Sequence, residues 1–253
     1  MLGLFFCRVS KHYMKNILIP TTLVPDTLGA VKTAIKHAGE KGCTLVLMMF
    51  CNAPDAFSET DYSGRTMLLQ STPVQHDVLN QCRLAVKQST SCSLDIHHQH
   101  GLTGPLLRNL LEFKKIDFVV MPESYKMAPE KIHKYCYKLL FNSKYPILMP
   151  GCMSNGHHMA NALYLEQYNT SLPLHEVRKM IDGKYPYRIV SRAMVSEMQN
   201  PEDLRTILAE TILKNDIDVL VQTRKYKKLK FTVKADATVN EMMGLPLLSL
   251  YEG

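Results

Sequence analysis

The sequence carries one structural unit twice, and this duplication constrains the fold more than any other feature. Four apolar runs define the unit: Ile116–Val120, Tyr145–Leu148, Ile217–Val221 and Leu245–Leu248. The first isoleucine of the unit and the proline that follows it are 30 positions apart in one copy (Ile116 to Pro146) and 29 in the other (Ile217 to Pro246). Tyr125-Lys126 is matched by Tyr226-Lys227, so the similarity runs through the whole unit.

The pattern of apolar residues predicts an α/β fold. Each copy reads as an amphipathic helix, a buried strand, a polar helical stretch and a second buried strand, which is the alternation of a parallel sheet. Before the first copy, further strands are predicted at Asn16–Pro20, at Thr44–Phe50 and around Leu94 and Ile96. We therefore expect five strands in the first part of the chain.

The second part of the chain is shorter. We predict strands at Ala162–Leu165 and Tyr187–Val190, a helix over Leu174–Ile181, and a further helix that is capped by Asn200 and begins at Pro201. With the repeated unit, this makes about four strands. The second part is predicted to have lost one strand and one helix relative to the first.

These patterns predict two domains with parallel sheets. Residues 1–13 are expected to be an N-terminal extension outside the fold, because Met14 is a natural beginning directly before the first strand. The apolar run Leu2–Cys7 resembles the core of a signal peptide but has no basic segment before it and no small-residue cleavage site after it. The first domain is placed at residues 14–150 and the second at 161–253. Residues 151–160 are expected to be the linker, since Gly151–His158 is rich in small and polar residues.

Composition excludes several classes of protein. A hydrophobic fraction of 46% over 253 residues is enough for a packed core. The seven cysteines are scattered, with no Cys-x-x-Cys pair, so we expect a reducing, cytoplasmic location and no disulfide framework. The longest apolar stretch, Leu45–Cys51, is far shorter than the roughly 20 residues of a membrane span, so we expect a soluble protein without membrane contact.

Several segments together resemble the universal stress protein family. They are Lys15–Thr21, Ala34–Ala38, Leu45–Leu47, His100-Gly101, Ile116–Met121 and Tyr145–Leu148. The resemblance covers about Met14 to Pro150, with a degenerate second copy from Asn161 to Tyr251. It implies a tandem protein whose Rossmann-like first domain has five parallel strands, and a role in the stress response.

The resemblance also implies how the domains meet, because partners in this family commonly pair through their last strands. We therefore predict that Pro146–Met149 and Pro246–Leu250 lie antiparallel at the joint between the two domains, as in a pseudo-dimer. A homodimer of the whole chain remains open. Many members of the family hold ATP, whereas others do not.

The sequence departs from the family pattern where ATP would bind. Members that hold ATP carry an acid just after the first strand, but here Pro20-Thr21 is followed by Thr22. After strand four, next to Met121, the first two positions of the family's glycine motif are Pro122 and Tyr125. Proline has no amide hydrogen, and we expect the tyrosine ring to fill the approach to the phosphates. The pocket is thus predicted to be degenerate and to hold no cofactor.

Basic residues follow both copies of the fourth strand and account for much of the net charge of +7. Candidate contacts with an anion or an acidic partner are Lys126, Lys134, Lys225, Lys227, Lys228 and Lys230. The alternative is that these lysines are ordinary solvated surface. Nucleic-acid binding is disfavoured because no recognised nucleic-acid motif accompanies the charge.

No motif for catalysis or metal binding is present. His98 and His100 share one face of a predicted strand, but no third ligand stands at a defined spacing, so no metal is predicted. The loop acids Asp55, Glu59 and Asp61 have no recognisable pocket around them. A nucleophile elbow and a Walker loop are both missing from the sequence.

The sequence therefore predicts a non-enzymatic binding protein of the universal stress protein type. It would act on an unknown protein partner and lack the ATP phosphate-binding motif. One alternative is a nucleotide-binding switch, for ATP or AMP, with a divergent pocket near Thr21, Thr22 and Met121. The other is an enzyme that uses the same crevice.

Overall fold

The computed structural model describes residues 16–39, 42–52, 72–89, 91–151, 159–167, 172–195, 200–225 and 242–252. Several expectations fall outside these ranges. They concern residues 1–13, most of the linker with its histidines, the loop acids Asp55, Glu59 and Asp61, and the lysines Lys227, Lys228 and Lys230.

The described residues form nine strands and seven helices. The strands are β1 (Asn16–Pro20), β2 (Cys43–Cys51), β3 (Cys92–His100), β4 (Ile116–Val120), β5 (Ile147–Met149), β6 (Asn161–Gln167), β7 (Arg188–Val195), β8 (Val219–Arg224) and β9 (Leu247–Tyr251). The helices are α1 (Asp26–Ala38), α2 (Pro73–Gln88), α3 (Gly104–Phe113), α4 (Glu123–Met127), α5 (Lys131–Phe141), α6 (Leu174–Ile181) and α7 (Pro201–Asn215). The predicted α/β class is confirmed.

All nine strands belong to one sheet, in the order β3-β2-β1-β4-β5-β9-β8-β6-β7. Every neighbouring pair is parallel except β5 and β9. There, Leu148 lies opposite Leu248 and Ile147 opposite Ser249, as the predicted antiparallel contact between the two proline-led strands requires. From this contact outwards the two sides repeat the same order, except that the described residues on the side of β9 include no counterpart of the edge strand β3.

Helices cover the sheet on both faces. Because side chains alternate along a strand, Ile17 and Phe118 face one layer while Leu18 and Val119 face the other. The first layer contains residues of α1, α2 and α6, and the second contains residues of α3, α5 and α7. Buried on both faces, the inner strands read as the continuous apolar runs that parallel sheets require.

Local capping explains several helix ends. Thr72 and Gln75 form a capping box at the start of α2, and the side chain of Thr103 accepts a hydrogen bond from the amide of Leu106 in α3. Asn200 caps α7, as its position before Pro201 predicts. Within the part of the chain that the structure describes, no helix has the length and apolar character to cross a membrane.

Candidate functional site

A cavity of about 730 Å³ opens at the carboxyl ends of β1, β2 and β3. Its lining includes Thr21 and Thr22 from the end of β1 and Arg83 from α2. It also includes His98 of β3 and His133 of α5. Clefts of this size at this edge of a parallel sheet are the usual place for a small ligand. This is therefore the candidate site.

Several polar groups of the loop after β1 are hydrogen-bonded within the chain. The hydroxyls of Thr21 and Thr27 lie 2.7 Å apart, and the amide of Leu23 donates to Oγ1 of Thr21 at 2.8 Å. Leu23 adopts a φ of 58°, in the left-handed region that is uncommon outside glycine. Nε2 of Gln75 donates to the carbonyl of Thr22 at 3.1 Å. The loop is thus held in one conformation by bonds within the chain.

The first acid along the chain after this loop is Asp26, the first residue of α1. Its carboxylate accepts one hydrogen bond from the backbone amide of Ser124 at 2.9 Å and another from the hydroxyl of Ser124 at 2.6 Å. Ser124 belongs to α4, directly after β4. Sequence reasoning looked for the acid at Thr22 and missed Asp26, because the two partners are 98 residues apart and no spacing rule connects them.

Among the predicted pocket residues, Thr21 and Thr22 line the cavity, whereas Met121, Pro122 and Tyr125 are buried. The expectation that Tyr125 fills the approach to a phosphate stays a prediction. Its ring is fully buried in the core beside Cys136, and its hydroxyl lies 3.3 Å from Nδ1 of His133. Burial, and then Cys136, raise the pKa of Tyr125 far above its usual value.

His133 connects the cavity to this core. Burial lowers the pKa of its imidazole, and Glu130, whose carboxylate is 3.9 Å from Nε2, acts in the opposite direction. The pKa of His98 is also lowered, by burial first and then by His100 and His97. No group of three or more His, Cys, Asp or Glu residues suited to a metal ion occurs among the described residues.

Of the candidate basic contacts, the structure describes Lys126, Lys134 and Lys225, and these three do not form one surface. Strand β4 is parallel to β5 and β8 is parallel to β9, whereas β5 and β9 pair antiparallel. Strands β4 and β8 therefore run in opposite directions, and the carboxyl end of β4 lies on the opposite side of the sheet from the carboxyl end of β8. Lys126 and Lys134 follow β4, whereas Lys225 follows β8. Lys126 is half-buried and has a contact within the chain, and Lys134 is exposed. Nζ of Lys225 lies 3.6 Å from a carboxylate oxygen of the buried Glu252.

Arg224, the last residue of β8 and the neighbour of Lys225, is buried. Its guanidinium donates to the carbonyls of Phe141, Ser143, Tyr145 and Ser249. Burial lowers its pKa to about 10, against a weaker opposite effect of nearby tyrosines. Arg224 thus fastens the end of β8 to the turn that leads into β5, and it is not available to an external anion.

The fold and the cavity define an α/β protein with a crevice at the carboxyl ends of its parallel strands. By sequence, no family model and no curated protein matches the chain. By structure, it is similar to a universal stress protein from Archaeoglobus fulgidus DSM 4304, with a TM-score of 0.55 and 11% identity, over 95% of this chain and 98% of that chain. The chain therefore has the universal stress protein fold.

A second solved structure is also similar. It is a functionally unknown protein from Pseudomonas aeruginosa PAO1, with a TM-score of 0.48 and 13% identity, over 95% of this chain and 94% of that chain.

Proposed function

We propose that this chain is a regulatory binding protein of the stress response, which acts on a protein partner and neither holds ATP nor turns over a substrate. The universal stress protein fold supports the general class. The observation that carries the ATP part of the proposal is the pair of hydrogen bonds from Ser124 to Asp26.

The loop after β4 is where a phosphate would meet backbone amides, since helices that begin at this edge of a sheet present free N–H groups. Pro122 has no amide hydrogen to offer. The amide and the hydroxyl of Ser124 already donate to Asp26. The helix that follows, α4, has only five residues and contributes little dipole.

The carboxylate of Asp26 also opposes an incoming phosphate through its charge. A phosphate that approached Ser124 would have to displace Asp26 and would meet a like charge at close range. Two charge-assisted hydrogen bonds would be lost in the exchange, each typically worth about 1.5–3 kcal/mol. In this proposal the chain's own carboxylate occupies the position of the anion.

Titration with a fluorescent ATP analogue and magnesium at moderate salt tests the proposal. The wild-type protein should show no saturable signal that unlabelled ATP competes away. The Asp26→Ala variant should gain weak affinity for inorganic phosphate, because the donors of Ser124 become free. Asp77→Ala, at an exposed position of α2, is the matched control and should remain like wild type. Micromolar, competable ATP binding by the wild type would overturn the proposal.

A nucleotide-binding switch is the second candidate, favoured by the cavity itself. Its volume of about 730 Å³ suits a mononucleotide, and Arg83, His76 and His98 lie along it. A nucleotide held by these side chains would not need the loop after β4. Mass spectrometry of small molecules that co-purify with the chain separates the two candidates.

The location, assembly and partner contacts belong to the same proposal. We place the protein in the cytoplasm, as a pseudo-dimer of domains at residues 14–150 and 161–253, and leave a homodimer open. If the basic segments bind an acidic partner, exchanging Lys227, Lys228 and Lys230 together for Glu should weaken its capture, and added salt should weaken capture by the wild type. Capture that is insensitive to salt would remove the lysines from the proposal.

A further inference from the structure

Two cysteine thiols face each other at the start of neighbouring strands. Cys43 is the first residue of β2, Cys92 is the first residue of β3, and the two are direct partners in the parallel register. Their sulfur atoms lie 3.8 Å apart, and Cys43 is a free thiol. The sequence separates these residues by 49 positions, so only the strand register brings them together.

The backbone around the pair suits a disulfide. Neighbouring strands are about 4.7–4.9 Å apart, which lies within the Cα separations of about 4.4–6.8 Å that disulfides span. To form the bond, the sulfurs would have to approach from 3.8 Å to about 2.05 Å. The chain segments that precede the two strands are already linked by two hydrogen bonds. The amide of Cys43 donates to the carbonyl of Ser91 at 3.2 Å, and the hydroxyl of Ser91 donates to the carbonyl of Gly39 at 2.9 Å.

The two thiols differ in their access to solvent. Cys43 is 8% exposed, and burial, followed by the nearby Cys92, raises its pKa to about 12. Cys92 is half-buried and lies on β3, which is the outermost strand of the sheet. An oxidant from solution would therefore meet Cys92 first, and Cys43 would be the resolving thiol directly behind it.

We propose that Cys43 and Cys92 are a redox modification site that closes to a reversible disulfide when the protein meets a hydroperoxide. The thiolate of Cys92 attacks the peroxide oxygen, the O–O bond breaks, and Cys92 becomes a sulfenic acid. The other peroxide oxygen leaves as an alkoxide or hydroxide and takes a proton from solvent water, which makes it an alcohol or water. The sulfur of Cys43 then attacks the sulfur of Cys92, the S–O bond breaks, and the oxygen leaves as water with the proton of Cys43. The peroxide is reduced and two thiols are oxidised.

The other described cysteines are placed differently. Cys82 and Cys136 are fully buried on opposite faces of the sheet, in separate layers of the core. Cys51 is half-buried at the other end of β2, and burial raises its pKa. The disulfide would tie the outermost strand β3 to β2 at the amino ends of both strands, whereas the cavity lies at their carboxyl ends. The inference is independent of the proposed function, because it needs neither a ligand nor a partner.

Intact-protein mass and peptide mapping after brief exposure to one equivalent of hydrogen peroxide test the proposal. The full chain should lose two hydrogen atoms and two of its seven thiols. The map should contain a linked peptide pair from Cys43 and Cys92 that dithiothreitol separates. The rate should rise with pH, because the thiolate is the reacting form.

Variants sharpen the result. Cys92→Ser should lose the linked pair and keep all its remaining thiols under the same exposure. Cys51→Ser, at the opposite end of the same strand, is the matched control and should form the pair as the wild type does. A wild-type protein that gains oxygen on Cys92 without forming the link, or that links a different pair, overturns the proposal. The mapping of the wild type decides the matter even if a variant fails to fold.

Discussion

The imidazole of His37 stacks on the ring of Phe118, with centroids 4.3 Å apart and planes inclined by 7°. Tyr185 and Tyr187 pack against the same histidine, at 5.3 and 6.1 Å between ring centroids. His37 belongs to α1, whereas the tyrosines precede β7, so this aromatic group joins the first part of the chain to the second within one layer of the core. Both nitrogens of His37 are buried, and neither has a hydrogen-bond partner among the described residues.

We expect His37→Phe to stabilise the protein at neutral pH. Phenylalanine keeps the stack on Phe118 and removes two polar atoms that are buried without partners, a change worth about 1–2 kcal/mol in the free energy of unfolding. Urea denaturation followed by circular dichroism measures this. His175→Phe, at an exposed position of α6, is the control and should stay within about 0.5 kcal/mol of wild type. A destabilised His37→Phe variant would show that the imidazole has an essential partner.

The same substitution should change the dependence of stability on pH. Burial lowers the pKa of His37 from 6.5 to about 3, so between these values the unfolded chain binds a proton that the folded chain does not. Above pH 6.5 this proton uptake by the unfolded chain costs the protein no stability. Below pH 6.5 the free energy of unfolding falls as the pH decreases, by up to about 1.4 kcal/mol per pH unit. The difference in unfolding free energy between variant and wild type should therefore widen from pH 6.5 to pH 4. Parallel curves would contradict the assignment.

Arg224→Met should destabilise the fold by about 3 kcal/mol. Methionine fills much of the space but leaves the carbonyls of Phe141, Ser143, Tyr145 and Ser249 without the charged donor they share. The midpoint of urea unfolding should fall. Arg205→Met, at an exposed position of α7, should change it little. Equal midpoints for the two variants would show that water replaces the guanidinium without cost.

Leu148→Lys should disrupt the contact between β5 and β9. Leu148 is fully buried and lies opposite Leu248, where a lysine would bring an unpaired charge into the core. We expect aggregation or separation of the two sides of the sheet, measured by light scattering and small-angle X-ray scattering. Leu213→Lys is the control, because Leu213 is 84% exposed. An unchanged melting temperature and a monodisperse profile for Leu148→Lys would argue against this joint.

Patterns that are local in the chain were predicted from sequence. Helix α6 spans Leu174–Ile181 as its apolar spacing predicts, and α7 begins at Pro201 after the cap Asn200. The antiparallel contact of β5 and β9 was also predicted, because the duplicated proline-led strands and the family resemblance both pointed to it. Each of these features depends on residues within a few positions or on a repeat that is visible in the sequence.

Contacts set by strand register were decided only by the tertiary structure. The pairing of Cys43 with Cys92 and the bonds from Ser124 to Asp26 join residues 49 and 98 positions apart, and no local pattern specifies them. Tyr125 and Arg224 are both buried, which no local pattern in the sequence indicates. A side chain's neighbours follow from which strands are adjacent and how they are aligned. The sequence by itself determined the elements and the duplication, whereas packing of the sheet decided which residues meet.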